Sequence, residues 1–154
     1  MVRLSELVHP ELVHLGIEAE TKEELMERLV DSLAAQGWVQ DRVTVLRSLI
    51  ERERVMSTGI GRGVAIPHAQ SAGASTLTVS IARPLRPLDF GSVDHEPVRL
   101  VFLVTGPEER GGFIRVLARI SRLLCSSSLE ERVLGATDPG DVLRALSEEE
   151  DTLD

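Results

Sequence analysis

The chain has 154 residues, 42% of them hydrophobic, with 17 basic and 25 acidic side chains for a formal charge of −8. That length suits one domain with a real core, and an acidic chain with 3% aromatics lacks both the positive field and the stacking platforms of a nucleic-acid binder. A single cysteine, Cys125, excludes an internal disulfide and any cysteine-based metal cluster.

The N-terminal stretch MVRLSELVHPEL lacks the apolar run of a signal peptide, and no segment reaches the ~18 apolar residues of a membrane span. The expectation is a cytoplasmic protein without membrane insertion. We see no internal repeat and no low-complexity linker. Residues 1–148 are expected to form a single domain, followed by a frayed acidic tail over 149–154.

Helical and strand patterns alternate along the chain, which predicts an α/β fold. The clearest helix spans 21–36. Thr21 and Glu24 have capping-box spacing, Leu25, Met26, Leu29, Val30, Leu33 and Ala34 recur at helical period, and Gly37 suits the left-handed exit. A second helix is predicted from Arg42 to Arg54, capped by Asp41, with Val43, Leu46, Leu49 and Ile50 facing inward.

A glycine-rich loop, Ser57 to Gly63, follows. Val64 to Ile66 reads as a short buried strand stopped by Pro67, and Leu77 to Ala82 as another strand. The run PLRPLDFGSVDHEP reads as turns, with Asp94 in the turn before a third, central strand over Val98 to Val104. A helix from Gly112 to Cys125 faces Phe113, Val116, Leu117, Ile120, Leu123 and Leu124 one way. Arg115, Arg119 and Arg122 are assigned to its solvated face. Two short helices finish the chain, one near Ser127 or Ser128 and one opened by Asp138-Pro139.

The chemistry concentrates in S-T-G-I-G-R-G and the Pro67-His68 that follows. Gly59, Gly61 and Gly63 let backbone N–H groups converge and let an anion approach, and Ser57 and Thr58 add hydroxyl donors. The P-loop lysine is absent, and the strand–loop–helix order of a dinucleotide site is reversed, so ATP and NAD binding are disfavoured. Pro67 limits the backbone beside His68. A neutral imidazole is a competent nucleophile near neutral pH. Arg52 or Arg54 can present a planar donor pair to phosphoryl oxygens. Alone, a histidine after proline is usually a turn residue and a glycine-rich segment usually a plain loop; their adjacency, with two hydroxyls and a preceding arginine, points to a phosphate-handling site.

The segment ERERVMSTGIGRGVAIPHA resembles the signature of the type-2 enzyme IIA domains of the bacterial phosphotransferase system, in the fructose, mannitol and nitrogen-regulatory branches. The resemblance runs from about Leu4 to Leu146 and includes PLDFGSVDHEPVRLVFLV and VLARISRLL. It implies a mixed β-sheet flanked by helices on both faces, a three-layer α/β/α sandwich. It implies that His68 accepts a phosphoryl group from the small phosphocarrier HPr and passes it to a cysteine of an enzyme IIB. Such a protein is a phosphoryl carrier rather than a free-standing catalyst.

The same resemblance matches the family arginine to Arg52. It implies neither metal nor organic cofactor, while the loop chemistry makes Ser57, Thr58, Gly59 and Gly61 the expected phosphoryl contacts. One departure stands out: the family's second active-site histidine aligns with Phe113, after a loop shorter than usual. Two further readings follow. The chain, which carries no IIB or membrane segment here, is expected either to transfer phosphate or to act as a nitrogen-branch regulatory module docking on target proteins. A degenerate anion-binding domain without transfer is the third. His9, His14 and His95 are read as structural or exposed, and Cys125 as a small core residue.

Overall fold

The computed structural model describes residues 2–108 and 111–154. Two 3-10 turns, Leu4–Glu6 and Pro10–Leu12, lead into β1 (Val13–Ile17). Helices α1 (Lys22–Ala35) and α2 (Arg42–Val55) follow, then β2 (Gly59–Gly61), β3 (Val64–Ala65), β4 (His68–Gln70), β5 (Thr78–Pro84) and β6 (Leu100–Gly106). The chain closes with α3 (Gly112–Ser126), α4 (Leu129–Leu134) and α5 (Pro139–Leu153).

The helix starts follow their caps. The side chains of Thr21, Asp41 and Asp138 accept from the backbone N–H groups of Glu24, Thr44 and Asp141. Each satisfies a donor that the first helical turn leaves free. Gly37, at φ +83°, takes the left-handed exit after α1.

The sheet is mixed, in the order β1-β5-β6-β3-β2, with β4 also paired to β6. β1 runs parallel to β5, and β5 antiparallel to β6. β3 lies parallel to the first half of β6, and β4 parallel to its second half. Pro67 sits between them. It has no N–H to give a ladder, but its carbonyl accepts from Val104 N.

β6 is buried throughout and alternates between two cores. Leu100, Phe102 and Val104 pack with α3, α4 and α5; Val101 and Leu103 pack with α1 and α2. The architecture is therefore the α/β/α sandwich anticipated from the resemblance.

Several expectations are corrected. The stretch Val13–Ile17, unread as a strand, forms β1 on the sheet edge. The acidic end is not frayed: α5 continues to Leu153 and Glu150 is fully buried. Its carboxylate caps the N-terminal turn by accepting from Leu4 N and Ser5 N, and it pairs with Arg119 Nε at 3.0 Å. Arg119 thus leaves the solvated face and is only 8% exposed. Val43 is exposed, because the buried stripe of α2 is Val45, Leu49 and Glu53. Cys125 is exposed rather than core. His14 is half-buried on β1, while Asp94 does form the expected turn, accepting from Glu96 N.

Candidate phosphoryl site

His68 opens β4 beside the carboxyl end of β6, paired with Val104. It does not simply follow a strand in a loop; the strand resumes after Pro67. The end of α2 brings Arg52, and the start of α3 brings Phe113, to the same open cleft of about 390 Å³ as His68. Parallel neighbours ending together at helix termini leave a crevice of this kind.

The imidazole is held at one nitrogen. His68 Nδ1 lies 2.7 Å from the Ile66 carbonyl oxygen. A carbonyl can only accept, so Nδ1 carries the proton and Nε2 keeps its lone pair. Burial pushes the imidazole below its ordinary pKa; the Ile66 hydrogen bond pulls it up, Arg52 adds to the lowering, and Glu53 raises it. The ring is therefore neutral at pH 7, with Nε2 available.

Arg52 is anchored by a 2.9 Å hydrogen bond from Nη1 to the Met56 carbonyl. That bond uses one of its five donors. The Phe113 ring stands 5.9 Å from the imidazole, tilted by 51°. A phenyl ring there offers packing and no donor. Arg54, the other arginine considered, lines a different cleft with Lys22, Glu23 and Ile50.

The glycine-rich segment is a hairpin rather than an open loop. β2 pairs antiparallel with β3. Gly61, Arg62 and Gly63, all at positive φ, make its turn. Asp94 accepts from Arg62 N at its tip. Gly59 answers a packing need, since a Cβ there would clash with Ser92 Oγ.

Ser57 and Thr58 also have partners of their own. Ser57 Oγ donates to the Phe90 carbonyl, and Thr58 Oγ1 to Glu53. The structure thus gathers His68 and Arg52 in one cleft, while the two hydroxyls are committed to internal acceptors. Glu53 and Lys22, linked by a 3.0 Å ion pair under this segment, escaped the sequence reading. The signal was faint: one glutamate in an otherwise charged helix end.

Residues 6–149 match the family model described as "Phosphoenolpyruvate-dependent sugar phosphotransferase system, EIIA 2". The chain belongs to this enzyme IIA family. It is 34% identical over 146 residues to the PTS system fructose-specific EIIA component of Haloferax volcanii, covering 94% of this chain and 95% of that one. It is also 34% identical over 136 residues to a nitrogen regulatory protein of Bradyrhizobium diazoefficiens, covering 88% of each. Its fold superposes on the nitrogen regulatory protein IIA-Ntr of Neisseria meningitidis with a TM-score of 0.84 at 29% identity, over 92% of this chain and 97% of that one.

Among the described residues, no group of three or more His, Cys, Asp or Glu side chains is arranged to hold a metal. No helix there is long and apolar enough to cross a membrane.

Proposed function

We propose that this enzyme IIA is a phosphohistidine carrier whose acceptor atom is Nε2 of His68. The observation that carries the reading is the Ile66 carbonyl on Nδ1, which leaves Nε2 unprotonated on a ring that lines the same cleft as Arg52. The donor is the phosphohistidine of HPr. The Nε2 lone pair attacks phosphorus, the donor N–P bond breaks, and that electron pair returns to the donor imidazole. The proton stays on His68 Nδ1, still donated to the Ile66 carbonyl, whose dipole offsets the positive charge the ring gains. The free donors of Arg52 meet the transferring oxygens; such transfer is mainly positioning and charge stabilisation. The acceptor is a cysteine thiolate of an enzyme IIB, and the compartment is the cytoplasm.

The exposed apolar rim supports docking of protein partners at this cleft. Val55, Met56 and Ile114 are 81%, 69% and 69% exposed on the elements that carry Arg52 and Phe113. Incubation with phosphorylated HPr, followed by intact-mass measurement, tests the proposal. One acid-labile phosphoryl group is expected on the wild type and none on His68→Ala. A wild type that takes up nothing overturns it.

The regulatory alternative, in which phosphorylation state governs partner binding, is supported by the likeness to nitrogen regulatory proteins. Pull-down with the phosphorylated and unphosphorylated forms separates the two. Different partner sets favour regulation, and rapid discharge to an enzyme IIB favours transport.

A further inference from the structure

A buried carboxylate lies one residue from Arg52. Glu53 is 5% exposed, yet its carboxylate has three donors. Thr58 N reaches Oε2 at 3.0 Å, Thr58 Oγ1 reaches Oε1 at 2.5 Å, and Lys22 Nζ reaches Oε2 at 3.0 Å. Lys22 Nζ also donates to the Phe90 carbonyl at 3.1 Å. A buried charge survives only when paired and hydrogen-bonded this fully.

The connections continue to the imidazole. Thr58 O accepts from Ile66 N at 3.0 Å, and Ile66 O accepts from His68 Nδ1 at 2.7 Å. Both groups on the Thr58 donor side are thus clamped by Glu53, and the acceptor side of the same residue holds the N–H of Ile66, whose own carbonyl orients His68. The helix turn that holds Glu53 also carries Arg52, whose guanidinium is tied to Met56 O. One carboxylate therefore sets the spacing between α2 and the strand segment bearing the acceptor.

We infer that Glu53, held by Lys22, is a positioning residue of the phosphoryl site, acting through Thr58 and the Ile66 carbonyl on the tautomer and placement of the His68 ring. The inference rests on the carrier reading for its kinetic consequence and on geometry alone for its effect on the ring. Glu53 touches neither phosphorus nor the imidazole. Loss of its charge frees the Thr58 segment, lets the Ile66 carbonyl move, and lets His68 sample the Nε2-protonated form, which cannot attack.

The test uses the full chain, with ¹⁵N-labelled histidine, as wild type, Glu53→Gln, Thr58→Val and Leu33→Ala. Imidazole ¹⁵N shifts read the tautomer of His68 without any phosphoryl donor. Phosphorylated HPr then reads the rate of uptake. The wild type is expected to hold only the Nδ1-protonated tautomer. Glu53→Gln and Thr58→Val are expected to show a mixture of tautomers and uptake slowed about tenfold or more, the scale of a small misplacement at a reacting centre.

Leu33→Ala, buried between the helices away from the site, should lower thermal stability with the tautomer unchanged. Wild-type tautomer and rate in both site variants would overturn the inference. If Glu53→Gln fails to fold, Thr58→Val decides, because it keeps the Lys22–Glu53 pair and removes one bond of the relay. If the wild type takes no phosphoryl group, the carrier reading falls, and the tautomer measurement still decides the positioning role.

Discussion

The rings of His68 and Phe113 stand 5.9 Å apart at 51°, so the imidazole proposed as acceptor meets an apolar ring on this side. Phe113 is buried and belongs to the core under α3. It therefore packs the imidazole from one side and gives nothing to a phosphoryl oxygen. Phe113→His is expected to speed phosphoryl uptake about tenfold, the worth of one charge-assisted hydrogen bond of ~1.4 kcal/mol. It should also cost about 1–3 kcal/mol of stability through lost apolar burial. Rapid-quench transfer from phosphorylated HPr and urea unfolding read the two effects. An unchanged rate would mean that Arg52 alone suffices.

Among the described residues, Arg52 is the cation that lines the cleft with His68. Its planar fork suits two phosphoryl oxygens, which a lysine ammonium cannot match. Arg52→Ala is expected to slow transfer about 10²-fold, in line with loss of a charge-stabilising donor. Arg52→Lys should recover part of that at most. Because Arg52 also lowers the imidazole pKa, the Ala variant should titrate His68 at higher pH. An NMR titration showing the opposite direction would refute this electrostatic link.

The candidate acceptor was legible in the sequence because its signal is local. His68, Pro67 and the preceding glycines lie within a few residues, and helix caps at Thr21, Asp41 and Asp138 are equally local. What escaped depends on distant partners. Val13–Ile17 contains a histidine and a glycine and becomes a strand only by pairing with β5, far along the chain. Arg119 sits on a helix face that spacing makes polar; it is buried because Glu150, 31 residues later, meets it. The acidic end read as frayed for the same reason. Ser57 and Thr58 looked like anion donors because nothing in the sequence announces the Phe90 carbonyl or the depth of Glu53.

The Arg119–Glu150 pair supplies a stability prediction. Glu150 is fully buried and Arg119 nearly so, and Arg119 Nη2 also reaches Asp154 at 2.8 Å. Removing one partner strands the other charge away from water. Arg119→Met is expected to destabilise by about 3–5 kcal/mol, because breaking a buried pair costs far more than the pair's net worth. The double variant Arg119→Met with Glu150→Leu should lose less than the single one, although Leu4 N and Ser5 N then lack their acceptor. Urea midpoints of the two variants check the order. A double variant less stable than the single would point to the N-terminal caps as the larger contribution.

Acid should weaken the fold through its histidines before its carboxylates. His14 Nε2 is buried without a partner among the described residues, and burial pushes that imidazole below its ordinary value. His68 is lowered as well. The unfolded chain takes up protons on both rings near pH ~6.5, while the folded chain resists until lower pH. Below that point the unfolded state binds more protons, so stability falls as pH drops through 6 and is flat above about 7. Asp141 acts in a separate window. Thr137 and Arg144 hold its pKa at about 2, so its contribution stays intact above ~4 and is lost only as pH falls toward 2. Urea midpoints at pH 7.5 and 5.5 should therefore differ in the wild type, with the lower value at 5.5. His14→Leu should shrink that difference, and His14→Leu with His68→Ala should shrink it further. A wild-type difference that both variants retain in full would place the acid sensitivity on other groups.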